Sequence, residues 1–183
     1  MINLNDYDEV DAFQEGEYRK LPANGYVCTV TESAVKSTKT GVPMLVLSFD
    51  IAEGSFKNYF GTRDTKPKLF QIISDKNGRL NPYFKGVLTN FEKSNSGFKI
   101  KAGSFDEHNL IGKFIGVLFA EEEYYSGNGD IKVTVKPRYT MSVEKVRDKL
   151  FNVPAVKRVE RRNTGEVDDD FADVEIKDEN LPF

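Results

Sequence analysis

The sequence predicts a mainly β domain: a small five-stranded barrel with a helical insertion between strands three and four, then an acidic tail. Three observations carry that expectation. Apolar and polar residues alternate through short stretches bounded by turn residues, the period-two mark of half-buried strands. One central stretch switches to helical spacing. The last twenty residues lose apolar density and fill with acids.

Residues 1–20 hold six acids against Arg19 and Lys20 and show no clear period, which reads as an N-terminal acidic arm. "NGYVCTVTESAVKS" opens on a turn signal and continues with β-branched and aromatic residues, predicting a strand over 25–35. "TKTGVP" turns the chain into "MLVLSFDIAE", a second strand whose strict alternation puts Leu45, Leu47, Phe49 and Ile51 on one face. A third strand is expected over "FKNYFGTR", where Phe56 and Phe60 alternate with Lys57, Tyr59 and Arg63. "KPKLFQIIS" then reads as a short helix.

"NPYFKGVLTNFEKSNSG" carries stronger helical signals. Asn81 offers a cap, Pro82 suits the first turn, and Phe84, Val87, Leu88 and Phe91 recur at helical spacing. "KFIGVLFAEEEYY", the turn "SGNGD" and "IKVTVKPRYTMSV" predict strands four and five as a hairpin. In the fifth, Ile131, Val133 and Val135 point one way, and Lys132, Thr134 and Lys136 the other. Pro137 places that strand at an edge or at a bend. A short helix is expected over "EKVRDKLFNVP", before the basic run "KRVERR".

The chain thus divides into the arm (1–20), a nucleic-acid-binding barrel (21–151), a basic linker (152–163) and a disordered tail (164–183). The tail carries eight acids against Lys177, a net of −7, whereas residues 21–163 carry a net of +8. A basic body between acidic ends points to a polyanionic partner for the body and a separate task for the tail. No apolar run reaches the roughly 18–20 residues of a membrane helix. The N-terminus is acidic where a secretory leader is basic and then apolar, so a cytoplasmic protein is expected.

Catalytic signals are thin. Cys28 is the only cysteine and reads as a small buried hydrophobe; His108 is the only histidine, so no zinc cluster or Cys–His pair is expected. Asp50 and Glu53 would point to opposite strand faces, and "GTRDTKPK" lacks the ending of a phosphate loop. The chain reads as a non-enzyme with no cofactor and no metal.

Three strands, a helix and two more strands form the layout of an OB-fold, a small barrel that binds oligonucleotides, while spacing alone leaves other small β barrels open. Single strands are held by cations that follow the phosphates and by rings on which bases stack. The candidate nucleic-acid contacts are Lys57, Tyr59 and Arg63 on strand three, Tyr124 and Tyr125 at the hairpin tip, and Lys132, Lys136, Arg138 and Tyr139 on strand five. The same alternation also describes a solvated strand face. Tyr26, Phe56, Phe60 and Phe119 read as core, and Glu121–Glu123 belong at a rim or on the far side, where they repel no phosphate.

The terminal "DDDFADVEIKDENLPF" resembles the tail of bacterial single-stranded DNA-binding proteins, which ends in acids followed by Ile or Leu, Pro and Phe. Asp178, Glu179, Leu181, Pro182 and Phe183 match that tip, and Asn180 departs from the usual acid. The body, through "GYVCTVTESAVKSTKTGVPMLVLSFDIAEGSFKN", is similar to phage-encoded single-stranded DNA-binding proteins of Gram-positive hosts. The resemblance implies a protein that coats single-stranded DNA in replication, recombination and repair. It also implies a tip that docks partner enzymes through Phe183, its carboxylate and the acids before it, and that folds back to compete with DNA. A recombination mediator or strand-annealing protein is the alternative. Self-association is left open.

Overall fold

The computed structural model describes residues 20–61, 63, 66–101 and 103–160. The acidic tail, including Asp178, Glu179, Leu181, Pro182 and Phe183, lies outside the described residues, as does nearly all of the N-terminal arm. Five antiparallel strands form one open sheet: β1 (Asn24–Ser37), β2 (Pro43–Ile51), β3 (Lys68–Ile72), β4 (Phe114–Tyr125) and β5 (Ile131–Met141). Their order across the sheet is β3-β2-β1-β4-β5. Helix α1 (Pro82–Ser94) follows β3, a 3-10 turn spans Glu107–Leu110, and α2 (Val143–Arg147) follows β5. Among the described residues no helix is long and apolar enough to cross a membrane.

β1 is shared between two partners. Asn24 to Thr29 pair with β4, and Cys28 to Ser37 pair with β2. A bulge between Val30 and Glu32 marks the handover, and such an extra residue bends a strand and increases its twist. The sheet curls far enough that its edges, β3 and β5, come alongside each other, with no ladder between them.

Inside the curl, the expected β2 face is fully buried: Leu45, Leu47, Phe49 and Ile51 are each 1% exposed or less. They meet Cys28, Val30, Ile115, Val117 and Phe119, and the helix adds Phe84, Val87 and Phe91. Burying one such side chain is worth about 1.5–3 kcal/mol. The Asn81 side chain accepts from the Tyr83 N–H at 2.8 Å and caps α1 as the sequence predicts. The far end of the helix is tied to the sheet, because Asn95 brackets Phe114 through both its N–H and its carbonyl, at 2.9 and 2.8 Å.

The outer face of β1 and β4 is also covered. The Phe151 ring lies so close to Gly25 that a Cβ there would meet it at 2.7 Å, and Val146 crowds Gly116 in the same way. Beyond α2 the chain returns along β4, where Lys157 exchanges backbone hydrogen bonds with Glu121 and Glu123. The stretch read as a basic linker therefore runs beside the sheet up to Glu160.

The third strand is not where the sequence places it. Residues 55–61 form turns, with Asn58 at φ 59°, so Lys57, Tyr59 and Arg63 do not share a strand face. The Asp50 carboxylate accepts from the N–H groups of Ile51 and Phe60, at 2.7 and 3.0 Å, and folds this segment back onto the end of β2. Its rings are used for packing instead. The segment read as a short helix is β3, because pairing with β2 satisfies its backbone and alternation buries Leu69 while leaving Phe70 outside.

Candidate nucleic-acid interface

Where β3 and β5 fail to pair, the sheet opens into a cleft of about 930 Å³. Its walls come from five places. β3 and the residues before it give Lys66, Pro67, Lys68 and Phe70; β5 gives Lys132 to Pro137; the end of β4 gives Tyr124. The turns after β2 add Tyr59, Phe60 and Arg63, and the entry to β1 adds Lys20 and Leu21. Among the described residues, six cations line this space and no carboxylate does.

The rings are arranged in a sequence from core to cleft. Phe119 stacks on Phe60 at 5.9 Å, and Phe60 meets Tyr59 edge-on at 5.0 Å. Tyr59 is held on its other sides too: the Arg63 guanidinium sits 4.1 Å from its ring centre, and its hydroxyl accepts from the Leu21 N–H at 3.0 Å. Phe70 is different. It is 54% exposed at the middle of an edge strand, and Tyr124, 39% exposed, lines the same cleft from the hairpin. A solvated phenylalanine between Lys68 and the β5 lysines is a flat apolar face set among cations.

Electrostatics within the site are uneven. Lys68 and Lys132 have no ion pair among the described residues. Lys136 and Arg138 both lean on Glu122, at 3.8 and 3.9 Å, and Lys20 lies 3.9 Å from Glu121. Glu123 turns to the other edge of β4 and accepts from the Val159 N–H. The acidic triplet thus borders the cleft without lining it. Concentrated charge of one sign between low-dielectric walls raises the local concentration of oppositely charged ligand. Lysines on edge strands also block edge-to-edge association. That purpose does not account for Lys20, Arg63 and Lys66, which lie on no strand and face the same gap.

Of the residues expected from sequence, the cleft brings together Tyr59, Arg63, Tyr124, Lys132 and Lys136. Lys57, Tyr125, Arg138 and Tyr139 are not among its walls. Lys57 is exposed on the turn after β2, and the Tyr125 hydroxyl donates to the Glu160 carbonyl. Arg138 is the extra residue of a bulge, since Tyr139 pairs with Leu118 and Pro137 with Phe119. Sequence reasoning missed Lys20, Lys66, Lys68 and Phe70. The available signal was proline opening a strand, in "KPKLF", a position proline tolerates.

Asp106, Glu107 and His108 place three potential ligand atoms together on the exposed 3-10 turn, and none of them lines the cleft. Asp106 and His108 are engaged with each other. The sequence matches no protein-family model and no curated protein.

Proposed function

We propose that this protein binds single-stranded nucleic acid, DNA in the first instance, in the cleft between β3 and β5, without catalysis. The observation that carries the reading is the cleft's lining among the described residues: six cations, no carboxylate, and two exposed rings. Phosphates answer the cations and unstacked bases answer Phe70 and Tyr124, a pairing of groups that suits single strands of any sequence. A duplex hides its base faces from such rings. In this reading the open sheet is an OB-type barrel, whose third and fifth strands part to admit the ligand.

The acidic C-terminal segment completes the proposal. Residues Asp178, Glu179, Leu181, Pro182 and Phe183 form a docking peptide for replication, recombination and repair enzymes, with the ring as the buried anchor and the acids as the attraction to a basic rim.

Titration with an oligothymidylate, the corresponding duplex and an RNA strand, each at two salt concentrations, tests the first part. The expected result is preference for single strands and a log–log salt slope of about −0.7 per phosphate neutralised. Equal affinity for duplex, or affinity that ignores salt, would reject it. Deleting Leu181–Phe183 tests the second part: capture of the partner enzymes should be lost and strand affinity retained.

A further inference from the structure

Lys20 and Leu21 are the first described residues, and both line the cleft. Leu21 is 3% exposed and its N–H is bonded to the Tyr59 hydroxyl, so the chain is anchored in the cleft wall where residues 1–19 join it. Those residues hold Asp6, Asp8, Glu9, Asp11, Glu15 and Glu17 against Arg19, a side-chain net of −5. Tyr7, Phe13 and Tyr18 lie among the acids. Negative charge interleaved with flat rings is also the chemistry of a single strand.

We propose that the N-terminal arm, residues 1–19, is an intramolecular ligand of the cleft, lying along β3 and β5 until nucleic acid displaces it. The inference rests on reading the cleft as a polyanion site. Charge complementarity supplies the attraction. Attachment at the cleft wall supplies the local concentration, which for short tethers reaches the millimolar range. Length is sufficient: an extended chain covers about 3.3–3.6 Å per residue, so Asp6 to Tyr18 spans roughly 45 Å. The eleven residues of β5 span about 36 Å.

The acidic C-terminal segment is the rival occupant. Its point of departure favours it less. Lys157 is paired to the edge of β4 away from β5, and Glu160 is bonded to Tyr125, which is not a cleft residue. The described chain enters at the cleft wall, through Lys20 and Leu21, and its last described residue, Glu160, lies beside Tyr125, outside the cleft lining.

A nitroxide placed at residue 11 of the full chain (Asp11→Cys) gives a readout that needs no DNA. Cys28 is fully buried and its thiol is pushed up by that burial, so the label goes to the new cysteine. The expected result is broadening of the backbone amide signals of Lys68, Phe70, Lys132 and Thr134, and none in α1. Oligothymidylate should restore those signals. Cleft amides that stay sharp overturn the proposal, as does broadening produced only by a label in the tail (Asn180→Cys). Broadening that salt relieves and oligothymidylate does not would support the arm contact while rejecting the nucleic-acid reading.

Affinity gives the second arm of the test. An arm that fills the cleft nine-tenths of the time lowers apparent affinity about tenfold. Replacing the six arm acids by their amides should therefore raise oligothymidylate affinity about tenfold at low salt, with the gap closing as salt increases. Equal affinities at low salt, in proteins that both bind the strand, would overturn it.

Discussion

The guanidinium of Arg63 lies 4.1 Å from the centre of the Tyr59 ring, while the Tyr59 hydroxyl is bonded to the Leu21 N–H. A ring held edge-on by Phe56 and Phe60, and faced by a cation, has little left to offer a nucleobase. Tyr59 is thus a wall of the cleft, with Arg63 laid over its face. Tyr59→Phe keeps the ring and deletes one part-buried hydrogen bond, which should cost about 1 kcal/mol of stability in denaturant unfolding. Strand affinity should stay within about twofold (roughly 0.4 kcal/mol). Unchanged stability with a tenfold loss of binding would show that the hydroxyl touches the ligand.

Phe70 and Tyr124 are the rings left open. Removing a stacking ring costs roughly 1–3 kcal/mol per base, or about five- to 150-fold in affinity. Phe70→Ala and Tyr124→Ala should each fall in that range, with unfolding free energy changed by less than about 0.5 kcal/mol. Tyr139 is equally exposed but lies outside the cleft, so Tyr139→Ala should bind normally. Three equal losses would mean that exposure alone, and not the cleft, decides binding.

The contrast between these rings shows what was legible in the sequence. β2 and α1 follow from local pattern, because their apolar residues recur at a single period and their ends carry turn or cap residues. β1 and the closing hairpin follow from composition and turn signals, since burial in β1 and β4 runs through consecutive residues and Val133 of β5 is exposed. Leu45 to Ile51 and Phe84 to Phe91 need no tertiary context to be read. The third strand failed because two adjacent segments compete for the same place beside β2. "FKNYFGTR" has the stronger aromatic alternation, but Asn58 takes a left-handed backbone and Asp50, ten residues before Phe60, binds the Phe60 N–H. Only the fold brings that carboxylate to bear. The cost was functional: Lys66, Lys68 and Phe70 were hidden in a supposed helix. The cleft itself was not readable, since it exists only where two edges distant in sequence approach without pairing.

His108 makes a compact test of the side-chain geometry away from the cleft. Its Nδ1 lies 2.8 Å from Asp106 Oδ1, which also accepts from the His108 N–H at 2.9 Å. The side-chain bond to Asp106 holds the imidazole above its ordinary 6.5, and the backbone bond from His108 holds the Asp106 carboxyl below its ordinary 3.8. The raised histidine contributes stability below pH 6.5 and loses it as pH rises through the raised value. The lowered aspartate contributes above 3.8 and loses it as pH falls through the lowered value. The pair therefore matters most between those limits. With one histidine in the chain, a proton NMR titration gives one imidazole curve, expected above 6.5 and moved down by Asp106→Asn. A curve indifferent to that substitution would remove the bond.

Glu122 holds two cations at the rim of the cleft. Its carboxylate lies 3.8 Å from Lys136 Nζ and 3.9 Å from Arg138 Nη1, so a phosphate approaching either cation must compete with it. Exposed pairs of this kind are worth about 0–1 kcal/mol, which bounds the gain from removing one at about fivefold. Glu122→Gln should accordingly tighten oligothymidylate binding by up to about fivefold at low salt. The log–log salt slope should steepen by about 0.7 if the released cations take up one more phosphate. Glu123→Gln is the matched comparison: the amide oxygen can still accept from the Val159 N–H, no cleft cation is released, and binding should not change. Weaker binding by Glu122→Gln would reverse the argument, because it would mean that the carboxylate aims Lys136 and Arg138 at the strand instead of competing for them.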